Sequence, residues 1–345
     1  MTATVFRVDC KTLIEALRPY LPYSLPLYRR LQSPYKGNDH HILATPLPRP
    51  KSEDLDSACF AAAYVERQRV PRAEGWIFLS CEAPFHRSQS AAEEALCSTC
   101  TDRLLAIVRE ISNIPAPAAV DTSESIETNA RFLTHAFDPS LLLLGSLNAS
   151  IALFLRGRGW LSNVHPGLNR TYLKYIFERE SIPLTITDDL PEGLRWGEVR
   201  EQDLELAQAR TDIPRPASAL RNSPSIAIFP IPTASQSELN GAPIAWAFIG
   251  IEGSLITLHV EEEYRGRGLA KKLAAKLFRT TLPEAFDIAG EQRGGYGHAD
   301  VAPANASSRA VCRSVGGKNV NEWQVCWTRL DIDKVRTSLS EQLYK

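Results

Sequence analysis

A chain of 345 residues, 44% hydrophobic and 23% charged, has the composition of a globular protein with room for one large or two medium domains. Its 39 Lys+Arg against 40 Asp+Glu leave a net charge of -1, which excludes a general electrostatic footprint for nucleic acid. Residues 1–20 lack a cationic start followed by an apolar run, and the most apolar stretch, 141–155, is broken by Gly145, Ser146, Asn148 and Ser150. It falls short of the roughly 18 apolar residues of a membrane span, so a cytoplasmic protein with no membrane partner is expected.

Taken in order, residues 12–31 read as a short helix and a second one punctuated by Pro19, Pro22 and Pro26. Residues 76–80 read as a buried strand. Leu96, Leu104, Ile107 and Ile111 stand at helical spacing within 91–111. Residues 113–129, rich in Pro, Ala, Ser, Thr and Glu, read as a linker, and 140–177 as a further helical region. The string Arg156-Gly157-Arg158-Gly159 reads as a turn after a buried helix.

The pattern changes near Leu194. Strands are expected at 194–199, 225–229, 244–251, 254–260, 296–301 and 323–330. Helices are expected at 202–209, 269–279 and 305–315, with a polar turn at 233–241. This is a mixed α/β domain of roughly 140 residues, within the usual domain size.

The seven cysteines are odd in number and scattered, and read as reduced thiols. Cys97-Ser98-Thr99-Cys100 is a lone CxxC; the chain shows no second ligand pair beside it, so no metal is expected.

The informative stretch is Arg265-Gly266-Arg267-Gly268-Leu269-Ala270, between a strand and a helix. Its glycines let the backbone approach a bulky anion, and the free N–H groups at the helix start face it. The spacing is neither GxGxxG nor GxxxxGK followed by Ser or Thr. It matches R-x-x-G-x-A, and so resembles the pyrophosphate loop of the Gcn5-related N-acetyltransferase (GNAT) superfamily, which binds coenzyme A.

Within the superfamily the chain is similar to the glycine N-acyltransferase and FR47-like group. The resemblance runs through Leu13-Ile14-Glu15-Ala16-Leu17, Leu21-Pro22-Tyr23-Ser24-Leu25, Tyr28 and Gly37-Asn38 near the start, and through Gly241-Ala242-Pro243-Ile244-Ala245-Trp246 before the loop. It implies an α+β GNAT fold, a mixed central sheet flanked by helices. It also implies a degenerate GNAT-like first half over 1–190 and a catalytic domain over 194–332. The implied cosubstrate is acetyl-CoA or another acyl-CoA. Its contacts would be Leu258, Val260, Arg265, Gly266, Arg267, Gly268, Leu269, Ala270, Asn305 and Ser308.

The chain departs from the family at two places. The position aligned with the glycine acyltransferases' catalytic Glu is Ser254, so Glu252, two residues earlier, becomes a candidate. Where superfamily members often carry a Tyr general acid stands Cys312. A free thiol, at about 8.5, lies near a leaving coenzyme thiolate. An amine acceptor must lose a proton before attack, so a base is needed. The candidates are Asp300, His298 and Glu252. His298 and Asp300 alternate on one strand and share a face, whereas His259, at the opposite parity to Ser254, should point into packing. Backbone N–H groups near Leu258 to Val260 would polarise the thioester carbonyl. The implied function is N-acylation of a small-molecule amine or amino acid. A protein N-acetyltransferase and an acyl-CoA-binding sensor are the alternatives, and the oligomeric state is left open.

Overall fold

The computed structural model describes residues 3–48, 59–67, 73–84, 96–116, 138–162, 171–211, 213, 215–232, 241–286 and 295–343. The first half comprises β1 (Phe6–Arg7), α1 (Cys10–Leu17), α2 (Leu25–Gln32), β2 (His40–Ala44), β3 (Ala61–Glu66), β4 (Glu74–Leu79), α3 (Ser98–Asn113), β5 (Leu141–Asn148), α4 (Ala149–Gly157) and β6 (Thr171–Glu178). The second comprises β7 (Leu194–Gly197), α5 (Leu204–Ala209), α6 (Ala217–Arg221), β8 (Ser225–Pro230), β9 (Ala245–Ile249) and β10 (Leu255–Val260). It continues through α7 (Leu269–Lys276), α8 (Leu282–Phe286), β11 (Tyr296–Val301), α9 (Ala306–Ser314), β12 (Gln324–Asp331) and α10 (Ile332–Leu343). A π-type turn over Leu277–Thr281 joins α7 to α8.

Each half repeats one plan. A four-stranded antiparallel meander (β1–β4, then β7–β10) is followed by a helix and a fifth strand lying parallel to the fourth. In the first half the parallel step pairs Glu74 with Leu143 and Gly75 with Leu144. In the second it is a single bridge between Ser254 and His298. The sixth strands then cross over. Strand β12 inserts between β5 and β6, antiparallel to both, and β6 pairs with β11. The result is an eight-stranded sheet in the order β1-β2-β3-β4-β5-β12-β6-β11 and a four-stranded sheet in the order β10-β9-β8-β7. Every backbone group along β6 and β12 that pairs sideways therefore ties the two halves together.

Residues 140–177, expected to be helical, are instead β5, α4 and β6. Leu141-Leu142-Leu143-Leu144 is almost wholly buried, and a continuous apolar run has no period by which strand and helix can be separated. Asn148 ends the strand and caps α4, its Oδ1 accepting from the Ser150 N–H at 2.9 Å. The Arg156-Gly157-Arg158-Gly159 string closes α4, with Gly159 at φ 72°. The expected linker at 113–129 and the turn at 233–241 lie largely outside the described residues. Also unforeseen were β1 to β3, α6, α8 and α10.

The cores follow the sheet faces. Helices α3, α4 and α10 cover one face of the first half through Leu104, Ile107, Leu155 and Val335, while α1 and α2 cover the other through Leu13, Leu17 and Leu31. In the second half α7, α8 and α9 pack Leu269, Leu273, Phe278 and Cys312 against alternate residues of β9, Ala245, Ala247 and Ile249. The intervening Trp246 and Phe248 face α5 and α6. No helix among the described residues is long and apolar enough to cross a membrane.

Candidate active site

The loop before α7 is shaped by two left-handed glycines, Gly266 at φ 76° and Gly268, the N-cap, also at φ 76°. A Cβ on Gly266 would meet nothing within 4 Å, so the backbone conformation, not crowding, calls for glycine there. On Gly268 a Cβ would come within 3.1 Å of Lys271 Cε. Arg265 Nε donates to the Val260 carbonyl at 3.1 Å, and Arg267 donates to the Glu263 carbonyl at 3.1 Å while lying over the Tyr264 ring. Both side chains pin the loop to the end of β10. Buried Leu269 and Leu273 anchor the helix behind it. The Lys272 N–H reaches Gly268 O at 3.3 Å, and the N–H groups before it have no acceptor within the helix. With the helix dipole, their orientation suits an anion. Lys272 and Lys276 are engaged with Thr187 O and Asp188, whereas Lys271 folds over Gly268.

Strand β10 leads into this loop as the edge of its sheet. Past the Ser254–His298 bridge, no described strand pairs with its outer side, so β10 and β11 part there and the outer edge of the Leu258–Val260 stretch is left without a strand partner among the described residues. All six residues of β10 are partly exposed. A bulge sits at its centre. The β9 register shifts between Ile256 and His259, and Thr257 stands at φ 51°, an outlier for a β-branched residue. The buried Thr257 hydroxyl has no partner among the described residues. Strain of this kind concentrates at functional sites.

The bulge also corrects the parity argument for His259. Leu255 and Leu258 pack on the α7 side, while Ile256 and His259 lie on the Trp246 side, His259 stacking on that indole at 4.7 Å. Ser254 and His259 are thus on the same face, although His259 is engaged in packing as expected. Burial lowers its pKa, opposed by Glu261.

His298 and Asp300 do share a face, but that face is sealed. Lys174, fully buried on β6, places Nζ 2.6 Å from Asp300 Oδ1 and 3.0 Å from His298 Nδ1, and also contacts Ser146 Oγ. Trp327 Nε1 donates to Asp300 Oδ2 at 2.9 Å. His298 Nε2 lies 2.8 Å from the Glu252 carbonyl oxygen. That acceptor assigns the ring proton to Nε2 and leaves Nδ1 to accept from the lysine. Burial would raise the Asp300 carboxyl, but the Lys174 ammonium and His298 outweigh it and hold it well below the ordinary carboxylate range. Burial in turn pulls Lys174 down, against the attraction of Asp300. Neither Asp300 nor His298 is placed to act as a base; they are counter-ion and bridge in a closed network.

Glu252 and Ser254 are also buried, at 4% and 3% exposure, but Glu252 has no ion-pair partner like the Lys174 of Asp300 among the described residues. Its carboxylate accepts from the Ser254 hydroxyl, so the acid two residues upstream is brought to the family's Glu position. Gly250 makes room, since a Cβ there would lie 2.8 Å from Glu252 Oε2 and 2.9 Å from Ser254 Oγ. Arg215, partly exposed and without a side-chain partner among the described residues, lies within the field of the Glu252 carboxylate. Burial lowers the Arg215 pKa and Glu252 opposes this. Arg215, Lys174 and Thr257 were missed in the sequence because no local pattern marks them.

Cys312 is 2% exposed in the apolar core under α9, and burial pushes its thiol up to about 12. Its sulfur packs among apolar side chains of the second-half core. Asn305 caps α9, its Oδ1 accepting from the Ser308 N–H at 2.9 Å, and it is exposed beside the splayed strands. Ala270 lies partly buried in the first turn of α7.

A four-stranded meander, a bulged and splayed fourth strand, and an anion-binding glycine loop opening the following helix define a GNAT-type acyltransferase fold. The family model for the acyl-CoA N-acyltransferase verG N-terminal domain matches residues 3–175, half of the chain, and the protein belongs to that family. Among solved structures, a Drosophila protein from a structural genomics programme superposes with a TM-score of 0.57 at 14% identity, covering 95% of this chain and 98% of its own. That likeness concerns the fold. A GCN5-related N-acetyltransferase from Sphaerobacter thermophilus is 14% identical over 95% of each chain, but its TM-score of 0.44 carries no argument. No curated protein matches the chain.

Proposed function

We propose that this protein transfers an acyl group from an acyl-CoA, acetyl-CoA being the simplest, to the amine of a small molecule or amino acid. The observation that carries this reading is the pair of left-handed glycines opening α7 beside the unpaired edge of β10. Together they offer N–H donors for the pyrophosphate and a strand edge for the pantetheine arm. Arg265, Gly266, Arg267, Gly268, Leu269 and Ala270 would hold the pyrophosphate, Leu258 and Val260 the arm, and Asn305 and Ser308 its far side. The first half, built on the same strand plan, would be a degenerate copy of the second. Its strand β6 completes the second half's sheet.

In this mechanism the amine attacks the thioester carbon directly, and backbone N–H groups near Leu258 to Val260 polarise the carbonyl oxygen. Glu252, through the Ser254 hydroxyl or a water, takes the amine's proton. Arg215, a guanidinium without a side-chain partner among the described residues and within the field of Glu252, favours an acceptor that carries a carboxylate.

The test is incubation of the purified chain with acyl-CoAs of increasing length against pooled amines and amino acids, with mass spectrometric detection of N-acyl products. A product abolished by Glu252→Gln supports the reading. Coenzyme binding without any product would favour a sensor, a reading encouraged by the sealing of Asp300, His298 and Cys312. Failure to bind coenzyme would remove the basis of both.

A further inference from the structure

Four of the seven cysteines meet at one place in the first half, remote in sequence from the coenzyme loop. Cys59 precedes β3, Cys81 lies in the turn that closes β4, Cys97 is the N-cap of α3, and Cys100 is in that helix's first turn. The sulfurs of Cys59, Cys97 and Cys100 all lie within 4.8 Å of one another. Cys81 is in side-chain contact with Cys100 but is not one of that mutually close trio, so it completes a four-sulfur set by a turn of its side chain. Cys59, Cys81 and Cys100 are 5%, 6% and 0% exposed.

We propose that Cys59, Cys81, Cys97 and Cys100 form a structural site for one zinc ion. The Cys59 and Cys97 sulfurs are 3.8 Å apart. Thiolates placed about 2.3 Å from a tetrahedral zinc stand about 3.8 Å from each other, whereas a disulfide needs about 2.05 Å. The sequence showed a CxxC with no second ligand pair; the fold supplies it by bringing the ends of β3 and β4 against the start of α3. The surroundings suit bound thiolates. Cys97 Sγ accepts from the Cys100 N–H at 3.3 Å, Ser80 Oγ lies 3.6 Å from Cys100 Sγ, and the helix dipole favours negative charge. Helix α3 follows the fourth strand of its half as α7 follows the fourth strand of the other. The helix start that faces an anion in the second half thus carries the thiol cluster in the first. Each thiol that binds metal releases its proton to solvent. With all four positions filled by protein, the site is closed and holds no water for catalysis.

The experiment measures metal content in the purified full-length chain and exchanges the metal for cobalt(II). One zinc per chain is expected, and cobalt should show the charge-transfer and visible bands of a tetrahedral four-thiolate site. Cys59→Ser, Cys81→Ser and Cys100→Ser should lose these bands, while Cys326→Ser, outside the cluster, should keep them. Cobalt exchange in the unmodified chain needs no variant, so a misfolded mutant does not spoil the test. Metal-free protein that gives no cobalt charge-transfer band would overturn the proposal. So would peptide mapping that finds Cys97 joined to Cys100 or to Cys59 by a disulfide.

Discussion

Asp300 on β11 stands directly opposite Lys174 on β6, and their charged groups meet at 2.6 Å with the lysine fully buried. The pair joins strands from the two halves of the chain. Removing one partner leaves the other buried without its counter-ion, at a cost of about 3–5 kcal/mol. Lys174→Met should therefore lower the thermal midpoint sharply, and Lys174→Met with Asp300→Leu should recover most of the loss. The sign with pH follows from Asp300. Its folded-state pKa lies below the ordinary 3.8, so its contribution is present above that value and lost as pH falls through the folded one. The stability gap between wild type and the double variant should narrow on acidification below 3.8. A gap independent of pH would remove the ion pair from the account.

Glu252→Gln keeps the shape of the group that receives the Ser254 hydroxyl but cannot accept a proton from an amine. Turnover should drop by about 10²–10⁴-fold, the usual worth of a general base, with coenzyme affinity unchanged. Ser254→Ala should cost less, because water can replace the hydroxyl. Asp300→Asn would then reduce activity only as far as it reduces folded protein. Single-turnover rates normalised to folded fraction separate the two.

Gly268→Ala forces a side chain into a backbone at φ 76° and toward Lys271. The left-handed conformation costs about 1–2 kcal/mol. Relaxation toward a right-handed turn would swing the N–H groups away from the coenzyme. Calorimetric titration with coenzyme A should show weakening of at least that size, with the fold retained by circular dichroism.

Cys312→Ser should leave turnover within experimental error of wild type, since the thiol lies in the core and is pushed up to about 12. Its cost should appear in stability instead, as a hydroxyl replaces a sulfur among apolar neighbours. A large loss of kcat at unchanged stability would restore Cys312 as the proton donor.

Arg215→Met should raise KM for acceptors bearing a carboxylate and leave amines without one nearly unaffected. Equal effects on both would mean that Arg215 acts on Glu252 and not on the acceptor.

Much of the second half was legible in the sequence because its signals are local. Gly266 and Gly268 at the start of an amphipathic helix, and the alternation of Ala245, Trp246, Ala247 and Phe248, carry their geometry within a few residues. The segment 140–177 was misread because β5 is buried on both faces, which erases the period that separates strand from helix. The ion pair of Asp300 was not legible for another reason. Its partner, Lys174, is 126 positions away and meets it only when β6 pairs with β11.

The sequence by itself determined the glycine loop, the strand before it and the helix after it, because glycine conformation, capping and amphipathic spacing are short-range properties. The tertiary structure alone decided the exchange of β6 and β12, the recruitment of Glu252 to Ser254, the sealing of His298 and Asp300, and the gathering of Cys59 and Cys81 beside the CxxC. Each of these is a contact between residues whose proximity depends on strand order or on a bulge. Only the burial of the whole sheet supplies the free energy that fixes them.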